Sequence, residues 1–296
     1  QYFLTPDPMV RKVVLGVLAK WAQLKNTEIV CFCILSNHFH IIARFPDRNM
    51  DDFMEQFQKM VARRINIYRG RSGHFWESRY DDTSIIDDTM LKEKLAYVVN
   101  NAVHHRLVAR AEHWPGICSI SWHKSGEPVE GQWLNKSERS RLRRKGRSDA
   151  HEAAWESFSF EMELPAALGG ETDEERRQNI LELVEQDRQR LAKERQSEDA
   201  GVSGERAIRE RNWRDSPHDP EENPSALCAA SDPDERQEYR DKRRHITDKY
   251  REALAKWRNN EPAQFPIGTY PPGWDRCVDN QEYRDPPDET DDDTEA

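Results

Sequence analysis

At 296 residues, 36% hydrophobic and 34% charged, with a mean hydropathy of -1.00, the chain is too polar to form one compact globule, so part of it is expected to be extended or disordered. Its net charge of -10 excludes a uniformly basic nucleic-acid binder but not a basic face on one domain, because Asp and Glu crowd the C-terminal half. No apolar run is long enough to span a bilayer and no signal peptide is evident; five scattered cysteines without a CxxC fit a reducing cytoplasm. The chain opens on Gln1 rather than Met, the mark expected of a fragment or a truncated reading frame.

Thr5-Pro6-Asp7-Pro8 is a helix start, and Val10, Val13, Val14, Val17, Leu18 and Trp21 follow at helical spacing. Glu28 to Leu35 is β-branched and aromatic, and predicts a buried strand in which Cys31 and Cys33 are small core residues. Ser36-Asn37 predicts a tight connection or bulge, and His38 to Phe45 a second, antiparallel strand. Alternate strand residues share a face, so His38 and His40 point one way while Phe39 and Ile41 point into a core. Two neutral imidazoles at that spacing make half of a divalent-metal site. By themselves they are read equally well as surface histidines of an edge strand.

Asn49 to Arg69 predicts an amphipathic helix with Met50, Phe53, Met54, Phe57, Met60, Val61 and Ile65 on one side and Lys59, Arg63, Arg64 and Arg69 on the other. The basic run continues through Arg71 to Arg79, interleaved with Phe75, Trp76 and Tyr80, a mixture that suits single-stranded nucleic acid: cations neutralise phosphates and rings stack on unpaired bases. Trp76 is also a natural core residue. Arg79 to Ile86 predicts a further strand, and Asp87-Asp88-Thr89 caps a helix running from about Met90 to Val108. On that helix Tyr97, Asn101, His104 and His105 share a face. His104 and His105 read as solvent-exposed helix-end residues, and Glu93 as a surface carboxylate. Asn101 offers a hard oxygen as a third ligand for Mg²⁺ or Mn²⁺. Tyr97 lies one turn away, placed to attack a phosphate polarised by such a metal.

Trp114 to Trp122 reads as an extended closing segment. The expected organisation is a catalytic domain over 1–125, a basic linker over 126–170 that includes Arg141, Arg143, Arg144 and Lys145, a charged helical extension over 171–278, and an acidic disordered tail over 279–296. Within the extension, Glu171 to Gln196 and Asp234 to Arg258 predict charged helices with thin apolar stripes, separated by a Pro- and acid-rich linker from Asp215 to Pro224.

Asn37-His38-Phe39-His40 after an apolar strand resembles the His-hydrophobic-His motif of the IS200/IS605-like transposases, the single-strand DNA enzymes with an HUH motif and one catalytic tyrosine. The order also matches: His pair, basic helix, Phe75-Trp76-Glu77, strand, then a helix reading Tyr97-Val98-Val99-Asn100-Asn101-Ala102-Val103. The REP-associated branch is the nearest likeness, with Ala102 where that branch commonly has proline. The resemblance covers residues 2 to about 122. It implies an α+β fold with a ferredoxin-like antiparallel sheet and helices packed on it. It also implies Tyr97 as nucleophile, His38, His40 and Asn101 as ligands of Mg²⁺ or Mn²⁺, and Arg63, Arg64, Arg69, Arg71 and Arg79 as DNA contacts. The reaction implied is cleavage and rejoining of single-stranded, hairpin-containing DNA through a 5′-phosphotyrosine, by a cytoplasmic monomer or homodimer. The family's first strand normally precedes the stretch that here begins near Tyr2, so the sheet is expected to lack it. Two other readings stand beside this one: a catalytically inactive, domesticated DNA-binding regulator on the same fold, and a replication-initiator or relaxase nickase. The latter usually accompanies a helicase region, whose P-loop motif this chain lacks.

Overall fold

A computed structural model of the chain describes residues 1–216, 226–266 and 269. Contacts divide the chain into two units, Gln1–Arg236 and Gln237–Ala296. The acidic tail, Cys277 and most of the Asp215–Pro224 linker lie outside the described residues.

The first unit is α+β. Helix α1 (Pro8–Leu24) starts where Asp7 accepts from the backbone N–H groups of Met9 and Val10, with proline at its first position. Strand β1 (Glu28–Ile34) follows and pairs antiparallel with β2 (Phe39–Arg44), with Cys33 opposite His40 and Ile34 opposite Phe39. The connection is tight, the Leu35 N–H donating to the His38 carbonyl at 2.8 Å. Helix α2 (Met50–Tyr68) then buries Phe53, Phe57, Val61 and Ile65. Of the strand expected over Arg79–Ile86, only β3 (Ser84–Ile85) forms. The single helix expected from Met90 to Val108 is divided at Asn100 into α3 (Asp88–Val99), capped by Asp87, and the one-turn α4 (Asn101–His104). The Trp114–Trp122 segment is not simply extended: it holds β4 (Ile117–Cys118), paired with β1, and then enters α5 (Ile120–Ser125). The sheet order is β2-β1-β4.

Residues 126–170, read as a linker, contain an ordered hairpin. Strand β5 (Val129–Leu134) and strand β6 (Trp155–Phe160) pair antiparallel around α6 (Lys136–Arg144), which Asn135 caps. Helix α1 lies directly against β5. A Cβ on Gly16 would sit 2.2 Å from the Gln132 carbonyl oxygen, and one on Gly131 2.3 Å from that of Leu15, so this approach of two backbones demands glycine on both sides. Helix α7 (Asp173–Ser197), opened by a Thr172/Glu175 capping box, and the short α8 (Glu205–Glu210) complete the unit, with β7 (Cys228–Ala229) running parallel to β3.

The sheet separates two apolar layers, as side-chain alternation requires. Phe32 and Ile34, with Phe39 and Ile41, face α1, α2 and the hairpin. Cys31, Cys33 and Ile42 face Leu95, Val98 and Val99 of α3, backed by Ile180 and Val184 of α7 and Ile208 of α8. Cys31, Cys33, Cys118 and Cys228 are free. Among the described residues no helix is long and apolar enough to cross a membrane. Helix α9 (Pro233–Arg258), whose residues from Gln237 onward belong to the second unit, leaves Ile246 and Trp257 of its apolar stripe exposed.

Candidate active site

The His pair leaves β1–β2 on the α3 side. The ring centroids of His38 and His40 are 5.3 Å apart. Residues some sixty positions later join them. The Asn101 Oδ1 lies 3.3 Å from His38 Nε2, and the Tyr97 ring packs edge-on against His40 with centroids 5.7 Å apart. The tyrosine and the three ligands expected from the sequence are therefore neighbours, although α3 ends between Tyr97 and Asn101. On the far side of His38, Nδ1 pairs with Asn37 Oδ1 at 3.1 Å.

Burial governs the electrostatics. Desolvation, followed by the nearby charge of His105, pushes His38 down to about 4. Burial acts in the same sense on His40, followed by the charges of His38 and His105, and takes it to about 4. Both imidazoles are thus neutral at physiological pH and available as metal ligands. Asn101 is fully buried, and its Nδ2 has no hydrogen-bond partner. Among the described residues no three His, Cys, Asp or Glu side chains converge as metal ligands. Two neutral imidazole nitrogens and one amide oxygen form a donor set that fits a divalent cation of the Mg²⁺ or Mn²⁺ kind.

Sequence reading missed the second layer of the site. His104 is half-buried rather than solvent-exposed: its ring packs on Tyr97 with centroids 4.7 Å apart, and its Nε2 meets Asp187 Oδ2 of α7 at 3.0 Å. That carboxylate also accepts from Asn100 Nδ2 at 3.0 Å and from Arg190 at 2.6 Å. Burial pushes Asp187 upward, but the hydrogen bonds from His104, Arg190 and Asn100 outweigh it and hold the group at about 2. Asn100 also donates to the Val184 carbonyl at 2.8 Å, so α7 ties down the turn that follows Tyr97. No local pattern could have found Asp187, which is contributed across 83 positions of chain. His105 is exposed, as expected, yet its ring lies 5.3 Å from His38. Glu93 is exposed.

The five arginines differ in what holds them. Arg63 is exposed, and Arg79 is exposed beside Tyr80. Arg64 is partly buried, stacks on Trp133 at 3.9 Å and donates to the Leu134 carbonyl at 2.8 Å. Arg71 lies over Phe3 and donates to Asn66 and to the His74 carbonyl. Arg69 is occupied within the fold: its side chain is only 8% exposed, and it bonds the Phe3 and Thr5 carbonyls and the Asp7 carboxylate. Trp76 is packed against Phe39 and donates to the Gln58 carbonyl, which makes it part of the core.

Comparison with known proteins agrees with the motif order. Over 100 residues the chain is 28% identical to the "Putative REP-associated tyrosine transposase" of Haemophilus influenzae, covering 30% of this chain and 56% of that relative. The chain therefore spans little more than half the length of the relative it matches. No solved structure matches. Residues 4–101, which carry the His pair, Tyr97 and Asn101, match the family described as Transposase IS200 like, the family that the sequence resembles.

Proposed function

We propose that this protein is a DNA transposase that nicks and rejoins single-stranded, hairpin-containing DNA in the cytoplasm, with Tyr97 as nucleophile. The observation that carries this reading is the convergence of Tyr97 and Asn101 on His38 and His40, side chains brought together by the fold from two separate stretches of chain. The family match over residues 4–101 supports it. The helix–strand–strand–helix order of α1, β1, β2 and α2 supports the ferredoxin-like arrangement that belongs to the same reading.

His38, His40 and Asn101 would hold Mg²⁺ or Mn²⁺, which when bound supplies Lewis-acid polarisation of the scissile phosphate. Tyr97 Oη attacks the phosphorus. The bond from phosphorus to the 3′ oxygen breaks, leaving a 3′-hydroxyl strand and a 5′-phosphotyrosine. Attack by a 3′-hydroxyl on that ester restores a phosphodiester and returns the phenol, so no nucleotide cofactor is consumed. A phenol is a weak nucleophile until it gives up its proton. His104, whose ring packs on Tyr97 and whose Nε2 meets Asp187, is the candidate to receive it. Arg63, Arg71 and Arg79 are the candidate contacts to the flanking strand.

The test incubates the chain with a panel of single-stranded hairpin oligonucleotides and Mg²⁺ or Mn²⁺ and looks for a denaturant-stable protein–DNA adduct. The wild type forms one and Tyr97→Phe does not. An adduct of equal yield in Tyr97→Phe removes Tyr97 from its role. Tight DNA binding with no adduct under any condition favours a binding regulator.

A further inference from the structure

Helix α7 lies outside the stretch 4–101 that matches the family, yet it brings a carboxylate to the back of the candidate site. The Asp187 side chain is only 14% exposed, and three donors converge on it. Arg190, on the same helix, meets Oδ1 at 2.6 Å. Asn100 Nδ2 and His104 Nε2, from the two residues that bracket Asn101, each meet Oδ2 at 3.0 Å. A tie between α7 and the turn after Tyr97 does not need this charge, because Asn100 already donates to the Val184 carbonyl at 2.8 Å. Taking a carboxylate out of water is costly. What Asp187 adds to the amide tie is a negative charge aimed at the ring beside Tyr97.

The acceptor dictates the state of that ring. Burial pushes Asp187 upward, but the hydrogen bonds from His104, Arg190 and Asn100 hold it at about 2, so it is ionised and can only accept. An oxygen that only accepts requires a donor opposite, which places the imidazole proton on Nε2. In the neutral ring Nδ1 is then the acceptor. Without the carboxylate the proton has no reason to prefer either nitrogen. The same bond sets the angle of the ring, which lies on Tyr97 with centroids 4.7 Å apart and planes at 53°. A nucleophile, a base and a third group that orients the base form the usual logic of an activated hydroxyl.

We propose that Asp187 is a positioning residue for the reaction of Tyr97, holding the His104 ring on the tyrosine with its proton on Nε2 and Nδ1 open to accept. The inference rests on the transposase reading for the reaction that the ring serves. Nδ1 takes the phenol proton as the bond from Oη to phosphorus forms and the bond from phosphorus to the 3′ oxygen breaks. Solvent protonates the departing 3′ oxygen. The imidazolium returns its proton to the phenolate when a 3′-hydroxyl, losing its own proton to solvent, displaces the tyrosine. The site is then assembled from two parts of the chain, the His pair and tyrosine from the matched stretch and the orienting carboxylate from the segment after it.

The experiment measures the single-turnover rate of adduct formation by the full chain at saturating hairpin oligonucleotide with Mn²⁺. The wild type, Asp187→Asn, His104→Phe and the double variant are compared, with DNA affinity measured beside the rate and thermal melting used to check that each is folded. His104→Phe keeps a ring against Tyr97 and removes both nitrogens. Asp187→Asn is expected to slow the adduct about tenfold and His104→Phe at least as much, with DNA affinity within about twofold of the wild type. In the His104→Phe background, Asp187→Asn slows it by less than about twofold more, because the carboxylate acts through the ring. A carboxylate that only braces the fold would cost the same in both backgrounds. That result overturns the proposal, as does a wild-type rate in folded Asp187→Asn. A second readout needs no DNA: NMR spectra of the protein labelled with ¹⁵N at histidine, at mildly alkaline pH, with His104→Phe identifying the His104 signals. The wild type shows the Nε2–H form, and Asp187→Ala loses that preference. Any other form in the wild type overturns the proposal whatever the rates. An Asp187-dependent Nε2–H form without an adduct from any oligonucleotide retains the positioning of His104 and rejects the transposase reading instead.

Discussion

The two faces of the β1–β2 sheet spend polar side chains in opposite ways. On the α3 side, His38, His40, Tyr97, Asn101, His104 and Asp187 are drawn into a largely buried cluster, where desolvation keeps the imidazole pair neutral and hydrogen bonds keep the carboxylate charged. On the α1–α2 side the interior is built of apolar side chains, and Lys20 and Arg64 stack on Trp133 at its rim, partly buried. A face that performs chemistry must pre-set protonation states, and burial is the means.

The largest expected effect breaks the face that carries the His pair. His38→Ala or His40→Ala should lower adduct formation about 100-fold or more, because each removes an imidazole from the donor set that fits the metal. Excess EDTA should reduce the wild type to the same level. Retention of near-wild-type cleavage in either variant would sink the metal reading. The next effect concerns the other face. Gly131→Ala places a methyl carbon 2.3 Å from the Leu15 carbonyl oxygen, so β5 must retreat from α1. A loss of about 1–3 kcal/mol follows, read as a fall of several degrees in thermal melting. An unchanged melting temperature would mean that the two backbones do not approach so closely.

The third effect sharpens the contrast through pH. Asp187 is held at about 2, below its ordinary 3.8, so the unfolded chain takes up the proton first. The stability it contributes, about 2 kcal/mol, is complete above about pH 4 and is lost as pH falls towards 2. Asp187→Asn should be less stable than the wild type at neutral pH, and the difference should shrink through that window. Parallel stability–pH curves for the two proteins would refute the assignment.

Much of the arrangement on the α3 face was legible because its signals are local. The period of two in His38-Phe39-His40-Ile41 fixes opposite faces for the rings, and a four-residue step places Asn101 one turn beyond Tyr97. The break at Asn100 was not legible, since nothing in Val98-Val99-Asn100-Asn101 marks a helix end; it becomes visible only when Asn100 is seen bonding α7. The hairpin was missed for a different reason. Val129, Gly131 and Trp133 alternate with polar residues, and Phe158 and Phe160 do the same, but the basic run between the strands dominates the composition. The core assigned to α7 was underestimated because its stripe is thin: Ile180 and Val184 suffice when they cap an existing apolar layer.

That last feature bears on modularity. Ile180, Val184, Leu168 and Ile208 share one core with Leu95 and Val99, so the segment after residue 125 covers the layer that carries Tyr97 rather than being an appendage to it. A gene cut back to the family-matched stretch would encode a sheet with one face bared, prone to self-association. Such a deletion would be lost as an insoluble product before any question of catalysis arose, and grafting the tyrosine helix into another scaffold would require carrying α7 with it.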